Sequence, residues 1–288
     1  MTLDRLLLRV RACHSLDAAA FVPWFVDDRA VGRVHRDRVA ALLAAPSPFA
    51  RVGGRIEWVA GHDFATRSAA LAQWAAAGVA AGRFRSPLGE CYPVPAAGAA
   101  APALQVDRSL VTWLGVRARG VHLNGWFRSA AGPMLWIARR ARGKRTYPGH
   151  LDNLVAGGQP IGYDARATLV KECAEEAGLP ADLASRAEAH GELTYAWQEG
   201  LDCKDDVLAC FDLELPAQFT PVPVDGEVES FAAWSVPEVV AALVGDSPWK
   251  PNCALVAIDF LLRHGLLDDR LGANGCAVLR RELRPGAG

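Results

Sequence analysis

The spacing of apolar residues predicts a small α/β unit in the first third of the chain. Segments with helical spacing alternate there with short runs in which apolar and polar residues alternate. Helices are predicted over Leu16 to Phe21, Arg36 to Ala45 and Phe64 to Ala81, and strands over 22–26, 31–34 and 51–60. The pairs Asp27-Asp28 and Gly53-Gly54 are typical of the tight turns that join such strands.

A segment rich in proline and alanine separates this unit from the rest of the chain. Residues 93–102 contain three Pro, five Ala and one Gly, which is typical of a linker. We therefore divide the chain into a domain over residues 1–105 and a second domain over residues 106–288.

The second domain has strand-like runs on both sides of one central helix. Two strands are predicted within 115–127, and further strands over 134–140, 192–198, 207–215 and 229–235. Helices are predicted over 164–178, 237–243 and 252–264, the last being the final helix of the chain. This order favours the α/β (α+β) fold class, with an α/β/α sandwich preceded by a small N-terminal α/β accessory domain.

The composition narrows the class of protein. The chain has 288 residues, of which 51% are hydrophobic. Its 31 basic and 32 acidic residues nearly balance. We therefore expect no nucleic-acid partner, because binding one would need clustered positive charge. No run approaches the roughly 18 apolar residues of a membrane span, and the N-terminus lacks a secretory pattern. Seven cysteines without CxxC spacing favour a reducing compartment. We expect a cytoplasmic protein, and a homodimer stays compatible with these observations.

Three carboxylates share one face of the central predicted helix. Glu172, Glu175 and Glu176 are spaced by three and four residues, which places them together on a helix. Such like charges repel one another, and a bound divalent cation would reverse the sign of the interaction. Mg²⁺ prefers hard oxygen ligands of this kind, with Mn²⁺ as an alternative ion. The turn at Gly157-Gly158 brings backbone carbonyls near, so we include Gly157 in the predicted metal site.

This stretch resembles the Nudix hydrolases, whose motif is G-x5-E-x7-R-E-U-x-E-E-x-G-U, with U a bulky apolar residue. Six of the nine specified positions match, at Gly157, Glu172, Glu175, Glu176, Gly178 and Leu179. Tyr163 stands where the motif has its first Glu, Lys171 where it has Arg, and Cys173 is smaller than the usual apolar residue. The resemblance implies an enzyme that hydrolyses a phosphoanhydride bond in a small-molecule diphosphate.

Flanking segments resemble one subgroup of this family. They are His122-Leu123-Asn124-Gly125, Trp136 to Arg140, Lys144, Pro148 to Asn153, Asp225 to Glu229 and Lys250 to Ala254. Members carry an N-terminal domain of unknown function related to thiamine pyrophosphokinase proteins. The resemblance implies conversion of thiamine diphosphate, or its oxidised or damaged analogues, to the monophosphate.

Further residues are predicted around this site. Nudix proteins often take another carboxylate from a later loop, and Glu229 and Glu227 are the candidates, Glu229 being slightly favoured. Phosphate groups suit Arg139, Arg140 and Lys144, of which we expect one to face the cleft. Asn124 and Asp152 are predicted to hold polar groups of the substrate.

Three alternative functions stay open at this point. The same scaffold supports an ADP-ribose or dinucleotide pyrophosphatase. It also supports an isopentenyl-diphosphate isomerase, which needs a reactive cysteine opposite a glutamate. The departures at Tyr163 and Lys171 are compatible with a non-catalytic ligand-binding regulator.

Overall fold

The computed structural model describes residues 2–285 and arranges them around two main sheets. The helices are α1 (Thr2–Ala12), α2 (Val39–Leu43), α3 (Phe64–Ala80), α4 (Val111–Leu114), α5 (Ala165–Ala177), α6 (Ala181–Ala184), α7 (Val236–Val244), α8 (Pro251–Arg263) and α9 (Asp268–Leu283). The strands are β1 (Phe21–Val26), β2 (Arg29–His35), β3 (Phe49–Val52), β4 (Arg55–Trp58), β5 (Cys91–Val94), β6 (Leu104–Asp107), β7 (Ala118–Ser129), β8 (Gly132–Arg140), β9 (Leu151–Asp152), β10 (Val155–Gly158), β11 (Glu188–Glu199), β12 (Asp202–Glu214) and β13 (Val228–Ser235).

The smaller sheet has the strand order β2-β1-β4-β3 and is built from two hairpins. Asp27 and Asp28 have φ angles of 48° and 62°, as the tight turn between β1 and β2 requires. A second pair, β5 with β6, packs its inward residues Tyr92, Val94 and Leu104 into the same apolar core. The N-terminal unit therefore has a core of its own.

The larger sheet has the order β11-β12-β7-β8-β13, with β10 added beside β7 and β9 beside β8. One face packs against α5 through Leu169, Cys173 and Ala177. The other face is covered by α1, α7, α8 and α9. Helices on both faces of a mixed sheet confirm the predicted α/β/α sandwich and the α+β fold class.

Two helical predictions fail for identifiable reasons. Leu16 to Phe21 is not a helix, because only Ala18–Ala20 forms a 3-10 turn and Phe21 already pairs with His35 in the sheet. The helix predicted to be the last one, ending at His264, is also not the last, because α9 follows it. Gly272 has a φ of 64° inside α9, and this interruption breaks the helical pattern that sequence analysis relies on.

Strand β7 is single and continuous where two strands were predicted. Gly120 and Gly125 interrupt its apolar pattern, but β12 pairs with it in parallel from Ala118 to Trp126. Hydrogen bonding across the sheet thus overrides the local sequence signal.

Helix α1 was not predicted, and it lies with the C-terminal helices. Its buried residues Leu6, Leu7 and Val10 pack against α8 and α9 rather than against the small sheet. The division at residues 105 and 106 stays a prediction, but residues 2–12 are packed on the sandwich. Among residues 2–285, no helix is both long and apolar enough to cross a membrane.

Candidate functional site

Helix α5 presents three carboxylates beside strand β10. The Asp164 side chain caps the helix by accepting a 2.7 Å hydrogen bond from the Ala167 N–H, and Gly178 ends it in a left-handed conformation. Glu172 and Glu176 are buried, whereas about half of the Glu175 side chain, 48%, is exposed. The helix therefore buries part of its acidic face as well as its apolar one.

Strand β10 lies directly against these carboxylates. An added Cβ on Gly157 would stand 2.3 Å from Cδ of Glu172, so only glycine leaves room for that side chain. The backbone N–H of Ala156 donates a 3.0 Å hydrogen bond to Oε2 of Glu176. The strand thus positions both buried glutamates.

The cluster holds more negative than positive charge. Burial raises the pKa of Glu176 to about 8, and the nearby Asp152 carboxylate acts in the same direction. Burial also raises the pKa of Glu172, although Lys171 opposes this effect. The Lys171 ammonium is 3.2 Å from Glu172 and 2.5 Å from Glu175, so this lysine contacts two of the three carboxylates. This donor set and charge excess fit a hard divalent cation such as Mg²⁺.

The expected role of Gly157 as a metal ligand needs correction. The Gln159 N–H bonds to the Arg119 carbonyl on β7 at 2.8 Å, whereas the Ala156 N–H points to Glu176. Because backbone polar groups alternate sides along a strand, the Gly157 carbonyl lies toward β7. The 2.9 Å distance from the Gly157 carbonyl oxygen to a Cβ built on Gly120 agrees. The same alternation turns the Ala156 carbonyl toward α5, so Ala156 rather than Gly157 is the candidate for a backbone oxygen ligand, and Gly157 leaves room for Glu172.

Glu227 and Glu229 lie at the start of β13, beside the end of β8. Glu227 forms an ion pair with Lys144, and Glu229 lies 3.5 Å from Arg142. The two glutamate side chains are about equally exposed, at 42% and 39%. Burial would raise the pKa of Glu227, but the Lys144 pair lowers it, with further contributions from Arg108 and Arg140. Of the two candidate carboxylates, Glu227 therefore lies among positive charges, whereas Glu229 was the one slightly favoured from the sequence.

Arg140 is not available to a substrate, contrary to expectation. It is buried and donates to Asp152 at 2.9 Å and to the carbonyls of Thr146 and Tyr147. Arg139 is partly exposed and donates one bond, of 2.9 Å, to the Gly149 carbonyl. Of the three predicted phosphate ligands, Lys144 is held by Glu227, and Arg139 keeps donors without a partner among residues 2–285.

Asn124 and Asp152 also belong to the interior rather than to a substrate pocket. Asn124 lies 3.0 Å from Asp212 and accepts a bond from Asn153, all within the layer between the sheet and α8. Asp152 accepts bonds from Arg140 and Lys250. Alternation along β7 explains the position of Asn124, because Val121 and Leu123 face α5 while Asn124 points to the opposite face.

A second group of possible ligands was missed by sequence analysis. His122, Asp152 and Cys253 bring their donor atoms within 4.8 Å of one another, and all three are buried. The Cys253 thiol lies 2.6 Å from Asp152, and burial raises the pKa of that thiol well above its ordinary value. Arg140 and Lys250 already balance the Asp152 charge, so this group is satisfied without an added cation.

Comparisons with known proteins give one family model and several curated relatives. Residues 5–118 match the family model described as a domain of unknown function, DUF4743. "Nudix hydrolase 20, chloroplastic" from Arabidopsis thaliana is 43% identical over 195 residues, which cover 68% of this chain and 52% of that protein. "Nudix hydrolase 24, chloroplastic" from the same plant is 42% identical over 197 residues, covering 68% and 53%. These similarities support the assignment of this chain to the Nudix hydrolase family.

The chain spans about half the length of these curated relatives. A solved structure, DR0079 from Deinococcus radiodurans, has a TM-score of 0.41 and 20% identity, covering 58% of this chain and 98% of that one. Within the Nudix motif, Tyr163 precedes α5 and is exposed, and Lys171 forms the ion pairs described above. The variant positions thus leave the three glutamates on the helix face.

Proposed function

We propose that this chain is a divalent-metal-dependent diphosphatase. Glu172, Glu175, Glu176 and the Ala156 carbonyl would hold the ion, Mg²⁺ being preferred and Mn²⁺ an alternative. The observation that carries the proposal is the buried carboxylate pair on α5, which faces β10, with the Lys171 ammonium 3.2 Å from Glu172. Leaving such charges uncompensated is costly, and a hard cation relieves that cost.

The expected chemistry is hydrolysis of a phosphoanhydride bond. A bound divalent cation supplies neutralisation of phosphate charge. The protein supplies rigid orientation, because Gly157 allows Glu172 to lie against β10 and Ala156 fixes Glu176 by a hydrogen bond. Arg139 and Lys144 add positive charge near the end of β8.

For the substrate, we propose thiamine diphosphate or one of its oxidised or damaged analogues, converted to the monophosphate. The support is the resemblance of the flanking segments, from His122 to Ala254, to the thiamine-related subgroup. An ADP-ribose or dinucleotide substrate is the alternative on the same site. An isomerase is disfavoured, because Cys253 is buried against Asp152 and burial raises the pKa of its thiol. A cytoplasmic location and a homodimer stay predictions.

The test is a Mg²⁺-dependent screen of diphosphates with the purified chain. Thiamine diphosphate, oxothiamine diphosphate, ADP-ribose and NADH are compared side by side, and EDTA should abolish the activity. Glu176→Gln should lower the rate by more than about 100-fold, since loss of a main ligand costs several kcal/mol. Glu188→Gln, an exposed glutamate on β11, is the matched control. A Glu176→Gln rate within tenfold of wild type would refute the metal site, and release of phosphate from no diphosphate would favour the non-catalytic regulator.

A further inference from the structure

The β5–β6 pair of the N-terminal unit touches the loop that leads into α5. The Ile161 N–H donates a 2.9 Å hydrogen bond to the Cys91 carbonyl at the start of β5. The Tyr92 hydroxyl oxygen lies 1.5 Å from where a Cβ on Gly158 would stand, so the ring occupies the space above that glycine. Gly158 directly follows Gly157, which contacts Glu172. The N-terminal unit is therefore in contact with the backbone that positions the acidic site.

Arg108 directly follows β6 and lies beside Tyr92. Its Nη1 donates a 2.9 Å hydrogen bond to Glu90, and Cζ is 5.9 Å from the centre of the Tyr92 ring. The side chain is 45% exposed. A guanidinium has five N–H donors. Among residues 2–285, the Arg108 side chain has one hydrogen-bond partner, which is Glu90. Arg108 thus presents unused donors to solvent.

Contacts through Tyr92 place Arg108 beside the candidate active site. The Arg108 guanidinium lies over the Tyr92 ring, and the Tyr92 hydroxyl packs against Gly158. The preceding residue, Gly157, is in contact with Glu172. Arg108 is therefore next to the backbone that lines the α5 carboxylates, where positive charge would meet an anionic substrate.

We propose that Arg108 binds the phosphate groups of the substrate, so that the N-terminal unit completes the active site. The chemical class of ligand is a diphosphate, which a planar guanidinium contacts through two parallel hydrogen bonds. Tyr92 supports the Arg108 side chain through its ring face. This inference rests on the proposed diphosphatase function and extends it to residues that match the domain of unknown function.

The test compares Arg108→Ala with Arg108→Lys, Glu90→Gln and the control Arg51→Ala, which removes an exposed arginine from β3 of the same unit. Two measurements are made on each folded variant: calorimetric binding of inorganic pyrophosphate with Ca²⁺, and kcat and KM for the best diphosphate with Mg²⁺. Arg108→Ala should weaken pyrophosphate binding and raise KM by about 10-fold or more, since a charge-assisted hydrogen bond is lost. Arg108→Lys should recover part of this loss, and Arg51→Ala should match wild type.

Glu90→Gln separates substrate binding from a structural role. It breaks the ion pair and retains the guanidinium, so pyrophosphate affinity should not fall. Equal losses of pyrophosphate affinity in Glu90→Gln and Arg108→Ala would overturn the inference, because the ion pair would then only stabilise the fold. If the pyrophosphate affinity and the KM of Arg108→Ala stay within twofold of wild type, the inference is overturned while the proposed function stands. Pyrophosphate binding that depends on Arg108, in a protein that hydrolyses no diphosphate, would overturn the function and support the inference. Absence of pyrophosphate binding by wild type would overturn the inference.

Discussion

Gly157→Ala tests whether β10 positions Glu172. The added Cβ would stand 2.3 Å from Cδ and 2.4 Å from Cγ of Glu172, so the carboxylate must shift by about 1 Å to restore ordinary contact. Forcing a methyl group into a packed site costs about 1–3 kcal/mol, while replacing glycine stabilises by about 0.4–1 kcal/mol through the unfolded chain. The steric effect should win, with a net loss of about 1–2 kcal/mol in the free energy of unfolding.

The effect on catalysis should be larger than the effect on stability. A displacement of about 1 Å in a catalytic group costs on the order of 100-fold in rate. We would measure urea denaturation and Mg²⁺-dependent hydrolysis of the best diphosphate. Gly143→Ala is the matched control, because nothing lies within 4 Å of its added Cβ. If Gly157→Ala keeps the stability of wild type and a rate within twofold, Glu172 is not held against β10.

The remaining predictions concern residues with structural roles. Arg140→Ala should destabilise the protein by about 3 kcal/mol in urea denaturation, because it leaves Asp152 buried with only Lys250 as counter-charge. Arg139→Ala, which removes one bond to a backbone carbonyl, should cost about 1 kcal/mol, and equal stability of the two variants would contradict the buried role of Arg140. Leu169→Ala should cost about 2–5 kcal/mol, because this residue is fully buried between α5 and the sheet. The control Leu8→Ala removes a side chain that is 62% exposed and should change stability by less than about 0.5 kcal/mol; similar values for both would show that α5 is not packed as described.

Local features of the sequence were sufficient for α5 and its acidic face. Helical spacing, the Asp164 cap and the Gly178 end are all encoded within about 15 residues, and a helix places residues three and four apart together whatever surrounds it. The hairpins of the small sheet were predicted equally well, because their turns carry residues suited to positive φ angles. The thiamine-type substrate came from resemblance and stays a proposal.

The tertiary structure decided which polar residues are buried and which face a substrate. Asn124 is interior because of its register in β7, whereas Arg140 and Asp152 are brought together where β9 pairs with β8. No local pattern encodes either arrangement. The same holds for Gly157, whose carbonyl direction depends on pairing with β7. Arg108 reaches the candidate site only because β5 and β6 fold back onto the loop before α5, about 60 residues later in the chain. The sequence by itself thus determined the helix that carries the carboxylates, whereas contacts between distant segments determined what surrounds it.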